Sequence, residues 1–470
     1  MSPQRLLKSR FFRDSLLLQA SGALVALCQL FSASILAHSL GETAQGRYIS
    51  AVKVYGLLFM LFNTGIVPAV VSQVGGAVIR GQIEKIAAWQ GFLVKAYLLT
   101  GVVLASIGWL VLPPFTEQAF GNRDLGLWAF WLCFTPLLEC GRVLAMCSFQ
   151  GLRLMRDLAR LDVYGEFGRL FLVAGAAYWF ETPQAVVLAT LASGLWGSLV
   201  GLQLYRRALS AGAQGLPGLG RVFQRMKDVR LAVGLPLGLR LGLLRSLDAL
   251  HFDLLPPLLM FYAGVQKGTA TPEDPVAYFN NAQRLMLIPA VLMTGIARNT
   301  LPAMSGIAGR KDPELLRRSF WKVTWLGGLF NAAGLLVVLL AMPLVLDWFL
   351  PASYHAPVIE LAWIIGLAGL IKGFAGAYDS FYIVADRLRI TLRINLVGTV
   401  VCLWLLVELT LANPATGAAW GMVIANTWGL LHLAYIAWFF HTGRHRGLFL
   451  DAGSPATVPA AATAGKGPEA

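Results

Sequence analysis

Twelve ionisable side chains stand inside stretches of chain that are otherwise apolar and long enough to cross a bilayer: Lys53, Lys95, Glu139, Arg142, Glu166, Arg169, Arg240, Arg245, Asp248, Arg284, Lys372 and Asp379. A charge near the bilayer centre costs about 2.5–3.5 kcal/mol even on permissive insertion scales, so each needs a partner, a wet cavity or a task. Cations outnumber carboxylates eight to four. A dehydrated cavity lined in that proportion suits an anionic substrate, whereas a cationic one needs carboxylates and aromatic faces.

The densest group is Arg240, Arg245, Asp248 and His251, which at about 100° per residue share an arc of roughly 140° on one helix. Arg245 and Asp248 are one turn apart and read either as a structural ion pair or as part of a cavity lining. Lys53 and Arg284 occupy nearly matching positions in two halves of the chain and would face each other. Both suit phosphate, since Arg offers a planar fork and Lys a mobile point charge, unless both snorkel to the headgroups. Glu139 with Arg142, and Glu166 with Arg169, are three apart, the spacing of contact along one helix face. They read as internal pairs or as ion-coupling groups. Lys372 and Asp379 lie two turns apart on one face. The expected substrate-binding cations are thus Lys53, Arg240, Arg245, Arg284 and Lys372, with Glu139, Arg142, Glu166, Asp248 and Asp379 as pairing or coupling candidates.

Catalytic patterns are missing. The sequence has no glycine-rich phosphate loop and no HExxH. Its five cysteines, Cys28, Cys133, Cys140, Cys147 and Cys402, lie in apolar stretches without a CxxC pair, and the histidines are scattered. The expectation is no enzyme, no metal and no cofactor.

The elements that must position these charges follow from hydropathy. With 57% hydrophobic and 13% charged residues over 470 positions, the chain is far from a soluble balance. Its net charge of +14 needs no nucleic-acid partner, because basic loops on one side of a membrane account for it. Spans of about 20 residues fall near 15–38, 48–72, 87–112, 125–149, 164–180 and 184–204, then near 231–262, 276–300, 321–346, 356–384, 391–411 and 415–440. Pro256-Pro257 should bend the seventh. Alternate loops carry the basic residues, from Arg80 and Lys85 through Arg206, Arg207, Arg221, Arg225, Lys227 and Arg230 to Arg387, Arg389 and Arg393. The intervening loops hold only Arg47, Arg123 and Lys267. That alternation fits twelve spans with both termini cytoplasmic.

The halves resemble each other at offsets of 230 to 233. Tyr48 recurs as Tyr278, Ser148-Phe149 as Ser380-Phe381, Arg160 and Gly165 as Arg393 and Gly398, and Trp196-Gly197 as Trp428-Gly429. Two repeats of like orientation imply a pseudo-twofold axis along the membrane normal and a substrate route between them. The expected units are a six-helix lobe over 1–207, a connecting loop over 208–230 that is flexible where Gly-rich, a second six-helix lobe over 231–445, and a disordered tail over 446–470.

Certain segments resemble a family. Leu40-Gly41 followed by Gly46-Arg47-Tyr48 looks like the first outer loop of polysaccharide flippases. Phe149-Gln150-Gly151-Leu152-Arg153 with Asp162 is similar to their fourth-to-fifth loop, and Gly234-Leu235-Pro236-Leu237 to the start of their seventh span. These are the polysaccharide transporter or O-antigen flippase family of the multidrug/oligosaccharidyl-lipid/polysaccharide exporter superfamily. The resemblance covers about residues 10–445. It implies an all-α protein with two six-helix lobes in a V around a cationic cavity, in a bacterial inner membrane. It also implies undecaprenyl-diphosphate-linked oligosaccharide as the substrate, flipped outward by alternating access. Membrane lipids and other polysaccharide assembly proteins are the implied partners. Lys53, Arg245 and Arg284 fall where family members carry cavity cations, and Asp248 matches an acidic position of the seventh span. The loop at 264–275 departs from the pattern. A multidrug exporter of the same superfamily and a membrane glycan polymerase or ligase are the competing readings.

Overall fold

Hydrocarbon offers backbone groups no water, so a chain of this hydropathy closes its hydrogen bonds within helices. The computed structural model describes residues 10–62, 65–231, 242, 247, 250, 254–263, 271, 273–292, 300, 304, 307, 312–385 and 387–447, and among them it is all-α. The first half holds α1 (Arg10–Phe62), α2 (Ile66–Ile79), α3 (Ile83–Phe120), α4 (Arg123–Leu132), α5 (Thr135–Gly151), α6 (Met155–Phe180), α7 (Pro183–Ser210) and α8 (Leu219–Asp228). The second holds α9 (Leu254–Ala263), α10 (Asp274–Leu292), α11 (Pro313–Phe349), α12 (His355–Ala375), α13 (Tyr378–Val384), α14 (Leu388–Ala412) and α15 (Pro414–His441).

Eight of the described helical stretches are long and apolar enough to cross a membrane. One of them, within α1, is two spans. Gly41 sits at φ 71° and ψ 179°, open to glycine but not to an L side chain, and breaks the helix there. Beyond it Gln45 bonds Asn281, and Asn281 also lines a crevice with Ala33 and Ser34, so the two arms fold back beside each other. With α6, α9 and α10, the described residues carry helix in each of the twelve expected spans, in order. Arg240, Arg245, Asp248, His251, the loop 264–270 and the tail from 448 lie outside the described residues.

The repeat is visible in matched contacts. In the first half the Trp196 indole donates to the Tyr164 carbonyl (3.0 Å), and in the second Trp428 donates to Ile394 (2.9 Å). Each indole lies on a glycine, Gly168 and Gly398, where a Cβ would collide with it. Gly398 therefore pairs with Gly168 at an offset of 230, not with Gly165 as the sequence spacing suggested.

The connection between halves carries a docked helix, α8, beyond its Gly-rich stretch. Lys372 and Asp379 are not on one continuous helix, because the chain turns at Gly376 and Ala377 between α12 and α13. Asn331 Nδ2 donates to the Gly369 carbonyl (2.9 Å) just before that break, and Gly373 and Gly376 supply two weak helix formers.

Adding a Cβ at Gly168 should displace Trp196 and cost about 1–3 kcal/mol. Gly175→Ala, two turns along the same helix with only an ordinary contact to Trp179, should instead be neutral or stabilising. Thermal unfolding of the two variants in detergent separates these outcomes.

Candidate functional site

Core packing defines where the two halves meet. At the end of the bundle poor in Lys and Arg, a single apolar core runs across both, from Leu36, Tyr48 and Leu125 to Phe279, Leu335 and Tyr354. Among the described residues the cores at the basic end are separate: two belong to the first half, around Val74 and Phe149, and another to the second, around Phe320 and Phe381.

The closed end is a polar seam between the second arm of α1 and α10, which are repeat mates through Tyr48 and Tyr278, so the pseudo-twofold axis runs between them. Thr43 Oγ1 donates to Asp274 Oδ1 (2.9 Å), Arg47 Nε to Glu273 Oε1 (3.0 Å) and the Tyr278 hydroxyl to Glu42 Oε2 (2.5 Å). Gln45 Oε1 accepts from Asn281 (3.1 Å) and from the Tyr354 hydroxyl (2.9 Å). Gly46 lets the backbones touch, since a Cβ there would collide with the Glu273 carbonyl.

Charged residues from both halves gather beside this seam. On α6 the side chains Tyr164, Phe167 and Phe171 are exposed toward lipid, while Glu166 and Arg169 lie on roughly the opposite face, toward α1. Arg169 is hydrogen-bonded to Tyr48 and lies in electrostatic range of Glu166 and Glu139. Arg284 reaches the same place from the second half, in range of Tyr48, Arg169 and Glu166. The Tyr48 hydroxyl is held in turn by Thr190 Oγ1 (3.1 Å). Arg284 is only partly covered, and it also borders a crevice with Leu30, Ser34 and Phe349.

Glu139 and Arg142 are set beside this group by the surface of α7. Cβ atoms at Gly197 and Gly201 would press on Arg142, which gives α5 its close approach. Ser198 Oγ accepts from the Gly141 and Arg142 backbone amides (3.1 and 3.3 Å) and donates to the Leu138 carbonyl. Arg142 Nη1 then meets Glu139 Oε1 at 3.5 Å, with both side chains about one-third exposed. That is a partly exposed ion pair.

Lys53 follows Gly46 by two turns on the face of α1 that packs on α10, and it is half-covered where that packing ends. Lys372 shares a face of α12 with Leu361, Ile365 and Ala368; those are buried and Lys372 is exposed, so that face loses its cover between Ala368 and Lys372. Asp379 is also exposed, on α13.

The structure thus brings together Glu139, Arg142, Glu166 and Arg284, with Lys53 along the same seam and Lys372 and Asp379 farther down the second half. Arg240, Arg245 and Asp248 lie outside the described residues. Sequence reasoning left Arg169 as a mere partner for Glu166 and Tyr48 as a mere marker of the repeat. The phase of Arg169, opposite Phe171, was the signal that could have placed it. Nothing in the spacing announced the seam, whose partners stand 226 to 309 residues apart. Among the described residues no group of His, Cys, Asp and Glu could hold a metal ion.

The family described as "Polysaccharide biosynthesis protein" matches residues 11–308. No curated protein matches the sequence. Among solved structures, the chain is similar to the MATE multidrug transporter DinF-BH, at 13% identity over 93% of this chain and 96% of that one, with a TM-score of 0.68. A eukaryotic MATE transporter is 16% identical over 93% and 99% of the two chains, with a TM-score of 0.65. A multidrug resistance MATE family transporter of the MOP superfamily, in an inward-facing conformation, is 16% identical over 93% and 96%, with a TM-score of 0.60. At these identities the likeness shows the fold: a MATE-like multi-pass membrane protein.

Lys372→Cys should react with a polar maleimide added to the purified protein. Ile365→Cys, two turns away on the same face, should stay unlabelled until the protein is denatured. Mass spectrometry of the adducts reads both.

Proposed function

The chain belongs to the polysaccharide biosynthesis protein family, and from that premise we propose that it is a flippase for undecaprenyl-diphosphate-linked oligosaccharides. The observation that carries the reading is the convergence of Arg142, Arg169 and Arg284 between the halves, where Glu139 and Glu166 are the carboxylates that balance them among the described residues. A diphosphate brings the negative charge this group lacks, and guanidinium forks bind its oxygens bidentately. Arg284 comes from one half and Arg169 from the other, so a bound diphosphate holds both arms of the V.

The cargo crosses unchanged, without any catalytic group. The cleft opens at the basic end, which the positive-inside rule places in the cytoplasm together with both termini. There the headgroup enters from the inner leaflet of a bacterial inner membrane while its polyprenyl chain stays in lipid. Opening the α1–α10 seam and closing the basic end then presents the glycan to the opposite side. Surface polysaccharides such as O-antigen, lipopolysaccharide and exopolysaccharide are the products served, alongside other proteins of their assembly.

The MATE neighbours named as multidrug transporters raise a second reading, export of cationic compounds. The described charges in the cleft oppose it, because their carboxylates are outnumbered.

Arg169→Glu and Arg284→Glu should each lower glycan export at least tenfold while the protein remains inserted, with lipid-linked oligosaccharide accumulating on the cytoplasmic leaflet. Unchanged export in both overturns the assignment. A Thr43→Cys and Asp274→Cys pair should cross-link under mild oxidation, since the native side chains meet at 2.9 Å. Export should stop on cross-linking and return on reduction.

A further inference from the structure

The segment joining the halves is fixed at both ends to the first half. The Tyr205 hydroxyl donates to the Pro217 carbonyl (2.7 Å) before α8, and Lys95 Nζ donates to the Val229 carbonyl (3.0 Å) after it. Between these points Val222 is fully buried, with Leu219 and Met226 packed beside it. Gly91 admits the α8 backbone so closely that a Cβ would lie 2.7 Å from the Met226 nitrogen. Arg225 reaches Glu84 through Nη2 (2.8 Å) and Nε (3.1 Å). The helix is seated, not tethered.

Its height relative to a bilayer can be read from α3. The lipid-exposed side chains of α3 run from Leu98 and Leu99 to Phe115. Those 17 steps span about 25 Å at 1.5 Å rise, close to the roughly 30 Å of hydrocarbon in a bilayer. Lys95 and Gly91 lie just beyond that belt, so α8 crosses α3 at the level of the headgroups. Phe223 on α8 and Ile83 on α3 are exposed apolar side chains at this same corner, as expected of an interfacial helix.

The outward surface is cationic. Arg206, Arg207, Arg221, Arg225, Lys227 and Arg230 are exposed, and of the carboxylates here Glu84 takes Arg225 and Arg221, and Asp228 lies 4.0 Å from Arg225. Among the described residues Arg206, Arg207, Lys227 and Arg230 have no carboxylate in ion-pair distance.

We propose that α8 and the end of α7 form a docking site for anionic phospholipid headgroups. Uncompensated cations held at phosphate height, next to an exposed phenylalanine, match a phosphodiester surface in charge and position. Headgroups bound there hold the outer side of α8 as Gly91 and Glu84 hold the inner, so the second half is launched from a fixed point.

The test uses the full-length protein carrying Gln224→Cys, labelled with a polarity-sensitive dye, in vesicles of phosphatidylcholine alone or mixed with phosphatidylglycerol. Phosphatidylglycerol should shift the emission to the blue, and 1 M salt should reverse the shift, because screening shortens the reach of exposed charges to about 3 Å. Adding Lys227→Ser and Arg230→Ser, which leave the Arg225–Glu84 contact alone, should weaken the phosphatidylglycerol response about tenfold. Equal emission in both lipids overturns the proposal. So does a response that free inorganic phosphate reproduces in phosphatidylcholine vesicles, or one that the double substitution leaves intact in protein of unchanged thermal stability.

Discussion

A guanidinium inside a membrane protein must be kept wet, paired or both, and the architecture follows from meeting that demand for Arg142, Arg169 and Arg284. Each sits on a helix whose opposite or neighbouring faces are apolar, so the charges are turned inward together. Among the described residues their carboxylates are few: Arg142 has Glu139 at 3.5 Å, while Arg169 and Arg284 share Glu166 and the Tyr48 hydroxyl across the two halves. A bundle packed shut around them would leave cations repelling one another in a low-dielectric interior. Partial exposure of all three side chains, about one-third for Arg142, limits that cost.

The closed end solves the opposite problem. Two helices related by the repeat pack against each other there, with glycine at the closest approach and the polar side chains of one finding the other's. Water competes for the Arg47–Glu273 pair, whose Arg47 side chain is 44% exposed, whereas the bonds of Gln45 with Asn281 and Tyr354 are buried. The exposed part of the seam can be exchanged for solvation, while the apolar core from Leu36 to Tyr354 holds the two halves together beneath it.

Small residues set the geometry at several steps. The glycines of α7 admit α5 and so place the Glu139–Arg142 pair. Gly168 and Gly398 seat equivalent indoles in the two repeats, and Gly91 receives the connecting helix. None of these positions carries a charge or a nucleophile, yet the charged cluster depends on them, since helix separation decides whether side chains on different helices meet.

Much of this was legible in the sequence. Apolar run length, the period of the helix and the loop charges are properties of neighbouring residues, and they determined the helical class, the order of the twelve segments, the distinction between the two ends and the excess of embedded cations. The repeat was legible as well, because Trp196 and Trp428 keep both identity and spacing. Tertiary structure alone decided that Arg169 and Tyr48 belong with Arg284, that a polar seam joins α1 to α10, that α8 is docked, and that the helix breaks between Lys372 and Asp379. Those outcomes rest on contacts between side chains dozens to hundreds of positions apart. A one-dimensional pattern holds no record of such distances, because they depend on how closely helices pack and on which turn of each helix faces its neighbour.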